Sequence, residues 1–227
     1  MDSFADPPFD WSKLSDGVRL GNLEGHAAVS ATANSPQPLI GWFKEYYEGH
    51  KIQVPGGALE GSIELTCGPD PKIRESSNGE RFFRVAKHDT AQCSIVMSLS
   101  GIIGCSWVDE FHPLFDSIGK FVEDCAAWND HRGWTYVATV DGPEKELISL
   151  FGDFRLDRGA SGDLSKWWIR QDIAIVSHPY LNPSRGGGKK VTLLALDLEC
   201  AESAYRVIKT RPSEGSVSPA FINRTVG

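Results

Sequence analysis

Three stretches of the chain alternate apolar and polar side chains with a period of two, and that period restricts the backbone to extended strands with one buried face. Across residues 61–67, Ile63, Leu65 and Cys67 face one way while Ser62, Glu64 and Thr66 face the other. Cys93, Ile95, Met97 and Leu99 alternate with Ser94, Val96, Ser98 and Ser100, and a turn-prone Gly101-Ile102-Ile103-Gly104 leads into Cys105-Ser106-Trp107-Val108. Ile148, Leu150, Gly152, Phe154 and Leu156 share one face opposite Ser149, Asp153, Arg155 and Asp157, which predicts a long strand. Further strands are predicted at 81–87, 134–140, 167–176, 191–199 and 205–209, rich in the β-branched and aromatic residues that suit a pleated surface.

Two segments carry a helical period instead. Ser35 can cap a helix with Pro36 at its first position, and Leu39, Trp42, Phe43 and Tyr46 recur at helical spacing before Gly49 ends the run. Phe115, Ile118, Phe121, Val122 and Cys125 repeat that spacing inside a long connection between strands. The expected class is therefore all-β with minor α: an antiparallel two-sheet jelly-roll sandwich, with a short helix near 36–48 and a helical segment in the loop near 113–128. The competing arrangement is a parallel βαβ unit with the second helix between the strands at Trp107 and Trp134.

Bulk properties narrow the function classes. With 227 residues and a formal charge of −7, the chain is long enough for one sizeable core and too acidic to wrap nucleic acid through its own surface. The N-terminal residues lack the basic and apolar regions of a secretory signal, and no long apolar run predicts a membrane span. Cys67, Cys93, Cys105, Cys125 and Cys200 are odd in number and widely spaced, which predicts reduced thiols rather than a disulfide framework or a zinc site, so Asn223-Arg224-Thr225 reads as a chance sequon.

Candidate chemistry is sparse. Cys105 is the best-placed nucleophile, with His88, His112, His131 and His178 as possible bases, although it opens a strand instead of a helix and a buried thiol is the plainer account. Asp130-His131 and His88-Asp89 are adjacent in sequence, where side chains diverge, and read as loop residues. There is no Cys-x-x-Cys or His-Glu-x-x-His spacing for a metal. Gly186-Gly187-Gly188-Lys189-Lys190 lacks the earlier glycine and the following hydroxyl of a phosphate loop and reads as a turn, with Arg185, Lys189 and Lys190 as possible phosphate contacts. Trp167-Trp168 suits packing better than stacking on a base or sugar. No catalytic, cofactor-binding or metal-binding residue is expected.

Taken in order, several segments resemble the jelly-roll coat proteins of picorna-like plant viruses of the secovirus and comovirus type. These are the aromatic run Leu39-Ile40-Gly41-Trp42-Phe43-Lys44-Glu45-Tyr46-Tyr47 before the strand at 57–65, the strand at 78–85, the paired strands between Cys93 and Trp107 followed by Phe111-His112-Pro113, and the strands at 133–140 and 147–156. The resemblance implies residues 1–160 as a jelly-roll domain with an N-terminal arm, its first strand at 27–33, and 161–227 as a C-terminal extension packed on or beside it. It implies a non-enzymatic structural subunit of an icosahedral capsid, in the virion and host cytoplasm, assembling with sibling capsid proteins or copies of itself to enclose genomic single-stranded RNA, without membrane or cofactor. Exposed aromatics at strand ends are then expected interface residues, with the tail from 213 to 227 on a surface or draped over a neighbour. The alternatives are an intracellular small-molecule-binding enzyme, a cyclase or isomerase with Trp42, Tyr46, Trp134 and Tyr136 around a pocket, or a Cys105 hydrolase.

Overall fold

The computed structural model describes residues 36–57, 59–89, 93–141, 144–180, 188–209 and 224–227. Helix α1 (Gln37–Tyr46) opens the described chain, with Leu39, Trp42, Phe43 and Tyr46 buried as their spacing predicts. Ser35 and the strand expected at 27–33 lie outside the described residues. Strands β1 (Lys51–Val54), β2 (Gly61–Leu65), β3 (Arg74–Glu75), β4 (Arg81–His88), β5 (Ser94–Ser98), β6 (Ile103–Trp107) and β7 (Glu110–Phe115) form the first sheet, in the order β1-β2-β4-β5-β6-β7 with β3 on β4.

Helix α2 (Ile118–Asp130) follows, its first turn held where Ser117 Oγ accepts from Lys120 N at 3.2 Å. The second sheet takes β8 (Thr135–Asp141), β9 (Arg155–Leu156), β10 (Lys166–Ile169), β11 (Ile173–Pro179), β12 (Lys189–Ala195) and β13 (Arg224–Thr225), in the order β13-β8-β12-β11-β10-β9. Helices α3 (Glu144–Phe151) and α4 (Leu198–Lys209) lie between its strands in sequence. Every strand pairing among the described residues is antiparallel, including those of β6 and β8 on either side of α2, so the βαβ alternative is not the one adopted.

The fold is thus mostly β with two antiparallel sheets and a few short helices, but the wiring corrects the expected jelly roll. A jelly roll sends successive strands to opposite sheets through Greek-key connections. Here β1 to β7 all belong to one sheet and β8 to β13 to the other. The cause is local: short turns such as Val108-Asp109 between β6 and β7 close hairpins, and a hairpin keeps its two strands side by side. The division expected at residue 160 falls between β9 and β10, which pair through Trp168↔Leu156 and Ile169↔Arg155.

Nor do the sheets stack directly across their whole width. One core cluster joins the inner face of the first sheet, α1, α2 and the inner face of the second sheet. Helix α2 is buried almost all round, including Glu123, Asp124 and Asn129. It touches β1, where Asn129 Nδ2 donates to Gln53 O at 2.8 Å, and reaches the second sheet through Trp128, whose ring meets Trp167 edge-on at 5.1 Å. The β1–β2 connection runs close over that ring: a Cβ on Gly57, at φ +84, would sit 2.6 Å from it. A second cluster fills the outer side of the second sheet, where Leu147 of α3 and Ala201, Ala204 and Ile208 of α4 pack on Val137, Ile173, Ile175, Val191 and Leu193.

Three expected strands are corrected. Residues 148–151 belong to α3, where Leu147 and Phe151 meet at i, i+4, and Gly152 and Asp153 at φ 61 and 51 end the helix before the two-residue β9. Residues 205–209 are the last turns of α4, started by Asp197, whose Oδ1 accepts from Cys200 N at 2.8 Å. The run at 167–176 is a hairpin of β10 and β11, tied at its turn by Arg170 and Asp172 at 2.7 Å. Residues 113–115, expected in a loop or helix, complete β7, with Pro113 at the sheet edge where a missing N–H is tolerated.

Of the tail expected on a surface, residues 213–223 lie outside the described residues, and residues 224–227 return to the fold instead of draping outward. Arg224 and Thr225 pair with Tyr136 and Thr135, Val226 is buried and its N donates to Trp134 O at 2.7 Å, and Gly227 N donates to Pro55 O at 3.1 Å. The Arg224 guanidinium pairs with Glu60 and lies over the Tyr136 ring. Among the described residues no helix is long and apolar enough to cross a membrane.

Candidate functional site

Where β7, α2 and the β10–β11 hairpin converge, four polar side chains meet in the interior. Trp167 Nε1 donates to Asp124 Oδ1 at 2.6 Å, and His178 Nε2 lies 3.4 Å from the same oxygen. On the other side of the ring His178 Nδ1 is 3.1 Å from Ser165 Oγ, and Ser165 Oγ donates to Leu114 O at 2.7 Å. Phe115 packs edge-on against the imidazole at 5.8 Å. A cavity of about 10 Å³, room for one water, opens beside Asp124 and His178 and is otherwise lined by apolar groups such as Val54, Leu59 and Trp128.

The order Asp–His–Ser is that of an acyl-transfer triad, yet the serine is not set up as a nucleophile. The Ser165 hydroxyl directs its hydrogen to the Leu114 carbonyl at 2.7 Å, whereas a triad serine must offer that hydrogen to the imidazole. Ser165 is also only 2% exposed. Burial pushes His178 below its ordinary value of 6.5, against the opposing pull of Asp124, which keeps the ring neutral. The array joins three elements across the two sheets. Sequence reasoning placed His178 only as a candidate base, and Asp124 and Ser165 carried no local signal because their partners lie 54 and 13 residues away in the chain, at His178.

The residues singled out from sequence are distributed as follows. Cys105 is fully buried, and a hydrogen bond with Cys93 together with burial drives its thiol far above the ordinary range, the opposite of an activated nucleophile. His112 sits opposite it in the β6–β7 register. Asp130 is exposed while His131 is buried, its Nδ1 2.8 Å from Ala127 O. His88 and Asp89, in contrast, do approach, at 3.5 Å, with His88 Nε2 3.1 Å from Leu59 O.

The four aromatics imagined around a pocket are separated: Trp42 and Tyr46 pack on each other in α1, Tyr136 stacks on Trp128, Trp134 meets His131, and none lines the cavity. Trp167 is in the core and Trp168 half-buried on the opposite face of its strand. Lys189 Nζ donates to Asp163 O at 3.2 Å, and Arg185, Gly186 and Gly187 lie outside the described residues. Among the described residues no group of three or more His, Cys, Asp or Glu side chains is arranged to hold a metal ion.

The surface offers a different feature. The β6–β7 hairpin turns through Val108 at φ 48 and Asp109 at φ 65, closing the pair Trp107↔Glu110. Two positive φ values define a type I′ turn, which glycine and asparagine adopt readily and a β-branched residue does not. Val108 is 95% exposed, the largest value among the exposed large hydrophobics of the described residues, the others there being Leu196, Leu198 and Val207, none of them aromatic. The turn is braced on both sides: Arg74 pairs with Asp109 at 2.6 Å and Ser77 N donates to Glu110 Oε1 at 3.2 Å. Neither polar contact involves the Val108 side chain, so what the bracing presents outward is a rigid apolar tip.

No protein-family model matches the chain, and no curated protein or solved structure matches it.

Proposed function

We propose that the chain is a structural subunit that works by associating with further protein chains, copies of itself or sibling subunits, with the β6–β7 hairpin tip as a contact point. Val108 carries the reading. Holding a valine at φ 48 costs about 1–3 kcal/mol, and at 95% exposure the side chain gains no burial in return. A partner that covers the tip supplies about 1.5–3 kcal/mol from burying a valine side chain, on an anchor already fixed in place. A chain of charge −7 repels its own copies, so such contacts must be apolar or hydrogen-bonded, or must meet a basic surface.

The narrower form, a shell subunit of a picorna-like plant virus enclosing single-stranded RNA, rests on the order of the sequence segments. The division of the strands into β1 to β7 in one sheet and β8 to β13 in the other argues against a jelly-roll tile. Sedimentation velocity and electron microscopy of the purified chain test the reading. Association is expected as species heavier than the 24.9 kDa monomer that grow with concentration and revert to monomer in Val108→Gly. Particles tens of nanometres across would restore the shell form, and a single 24.9 kDa species at every concentration overturns association between copies of the chain.

A further inference from the structure

We infer that residues 224–227 are an exchangeable segment, docked by a lone chain in its own groove and traded with a second copy once two copies associate. The groove lies between β8 and the β1–β2 connection. On the β8 side Arg224 and Thr225 pair with Tyr136 and Thr135, Val226 N donates to Trp134 O at 2.7 Å, and Gly133 N donates to Val226 O at 2.9 Å. On the side of the first sheet Gly227 N donates to Pro55 O at 3.1 Å, and Arg224 pairs with Glu60. The Arg224 guanidinium also lies 5.7 Å from the centroid of the Tyr136 ring, whose hydroxyl is fixed by accepting from Gly57 N at 2.9 Å. The groove therefore takes an extended strand with a cation at one position and a branched apolar side chain two residues later.

The segment is separable from the rest of the fold. Of its four residues only Val226 is buried, so one side chain and a few backbone bonds hold it, the condition under which part of a fold opens locally. Fourteen residues, 210–223, join it to α4, which allows a span of at most about 50 Å. A domain of this length has a radius of gyration of about 17 Å, so the groove of a neighbour is within reach. An identical groove offers every contact the segment makes, and exchange is then decided by local concentration. In a lone chain the connection keeps the segment at an effective concentration on the order of millimolar, and its own groove wins. Copies held side by side bring a second groove into competition. In a chain of charge −7 this contact also joins opposite charges, Arg224 of one copy on Glu60 of the other. Exchange rests on the association of copies proposed above but uses the far edge of the first sheet, whose outermost strands are β1 and β7.

Charge reversal tests exchange without help from the hairpin tip. Two full-length chains both carry Val108→Gly. One adds Glu60→Arg, so that its groove repels its own segment, and the other adds Arg224→Glu, so that its segment is repelled by its own groove. Both side chains are part-exposed, and circular dichroism checks that each variant folds. Alone, each is expected to sediment at 24.9 kDa. Mixed, they are expected to form a 1:1 species of twice that mass, at concentrations roughly tenfold or more below any at which either chain associates with itself, because trading segments restores both opposite-charge pairs. A mixture of folded chains that stays monomeric overturns exchange and leaves the hairpin reading to the sedimentation of the unaltered chain. Should a charge-reversed chain fail to fold, a labelled peptide of residues 218–227 gives the second measurement. It is expected to bind full-length Val226→Asp, whose own segment is released, roughly tenfold or more tightly than the unaltered chain, whose segment competes. Equal binding to both chains, or binding to neither, overturns exchange.

Discussion

The first sheet buries one broad face and only a small cluster, Phe82, Val96 and Phe111, on the other, whereas the second sheet is covered on both sides. The difference shows in the strands themselves. β1 alternates exposed and buried positions residue by residue, while β11 and β12 are each buried over five successive residues. An open face demands polar side chains at every second position, and a face roofed by helices removes that demand. Between them α2 serves both: Trp128 packs the apolar joint, and the Asp124 array ties the polar one. If α2 is the joint, changes there should cost more than changes at either sheet's rim.

The largest expected effect is at Trp128. Trp128→Ala should lower the free energy of unfolding by about 3–5 kcal/mol in urea melts, since it empties a site against Trp167, Tyr136 and the Gly56-Gly57 backbone. A cost below about 1 kcal/mol would mean that the sheets hold together without the helix. Next, Asp124→Ala strands the Trp167 indole N–H in the interior and should cost about 3 kcal/mol, with Asp124→Asn, which keeps an acceptor, recovering part of it. Equal losses in the two variants would show that shape, not the hydrogen bond, matters there.

Smaller, and sensitive to pH, is the contribution of His178. Its folded value lies below the ordinary one because burial disfavours the imidazolium, so the unfolded chain takes up the proton first as pH falls. The stability held by the neutral ring is complete above about pH 6.5 and is lost as pH drops below it, at no more than about 1.4 kcal/mol per pH unit. Urea melts of wild type and His178→Asn between pH 7 and 5 should differ in slope by that order, and parallel curves would remove His178 as the titrating group. Smallest is the rim: Val108→Gly should raise the stability of the isolated chain by about 1 kcal/mol by relieving its positive φ. A loss of stability instead would show that the hairpin tip is packed in the monomer and is no docking knob.

The two regions also differ in how far they can be read ahead of the structure. Ile63 and Leu65 of β2 and the core-facing Ile95 and Met97 of β5 follow directly from period two, and Leu39, Trp42, Phe43 and Tyr46 from the helical spacing. In the second sheet the same rule misleads. Ile148, Leu150, Phe154 and Leu156 alternate by chance in a segment whose first half is helical, and the α4 face is made of Ala201 and Ala204, too small to mark a stripe, with only Ile208 to announce it. The interlayer array was invisible for a different reason: Ser165 and His178 meet Asp124 only because β10, β11 and α2 fold onto one another, and nothing in the local spacing of any one of them encodes that. The strained turn at Val108-Asp109 was equally hidden, since valine is a poor predictor of positive φ.

What the amino-acid order determined by itself was local: extended segments with one buried face, an aromatic first helix, and an acidic chain without a metal-ligand spacing. Which strands share a sheet, the insertion of α2 between the layers and the return of Arg224 and Thr225 to the edge of β8 were decided by tertiary structure alone. Periodicity reports which side of an element is buried, not what buries it, and the same apolar face is satisfied by a facing sheet or by a helix laid across it.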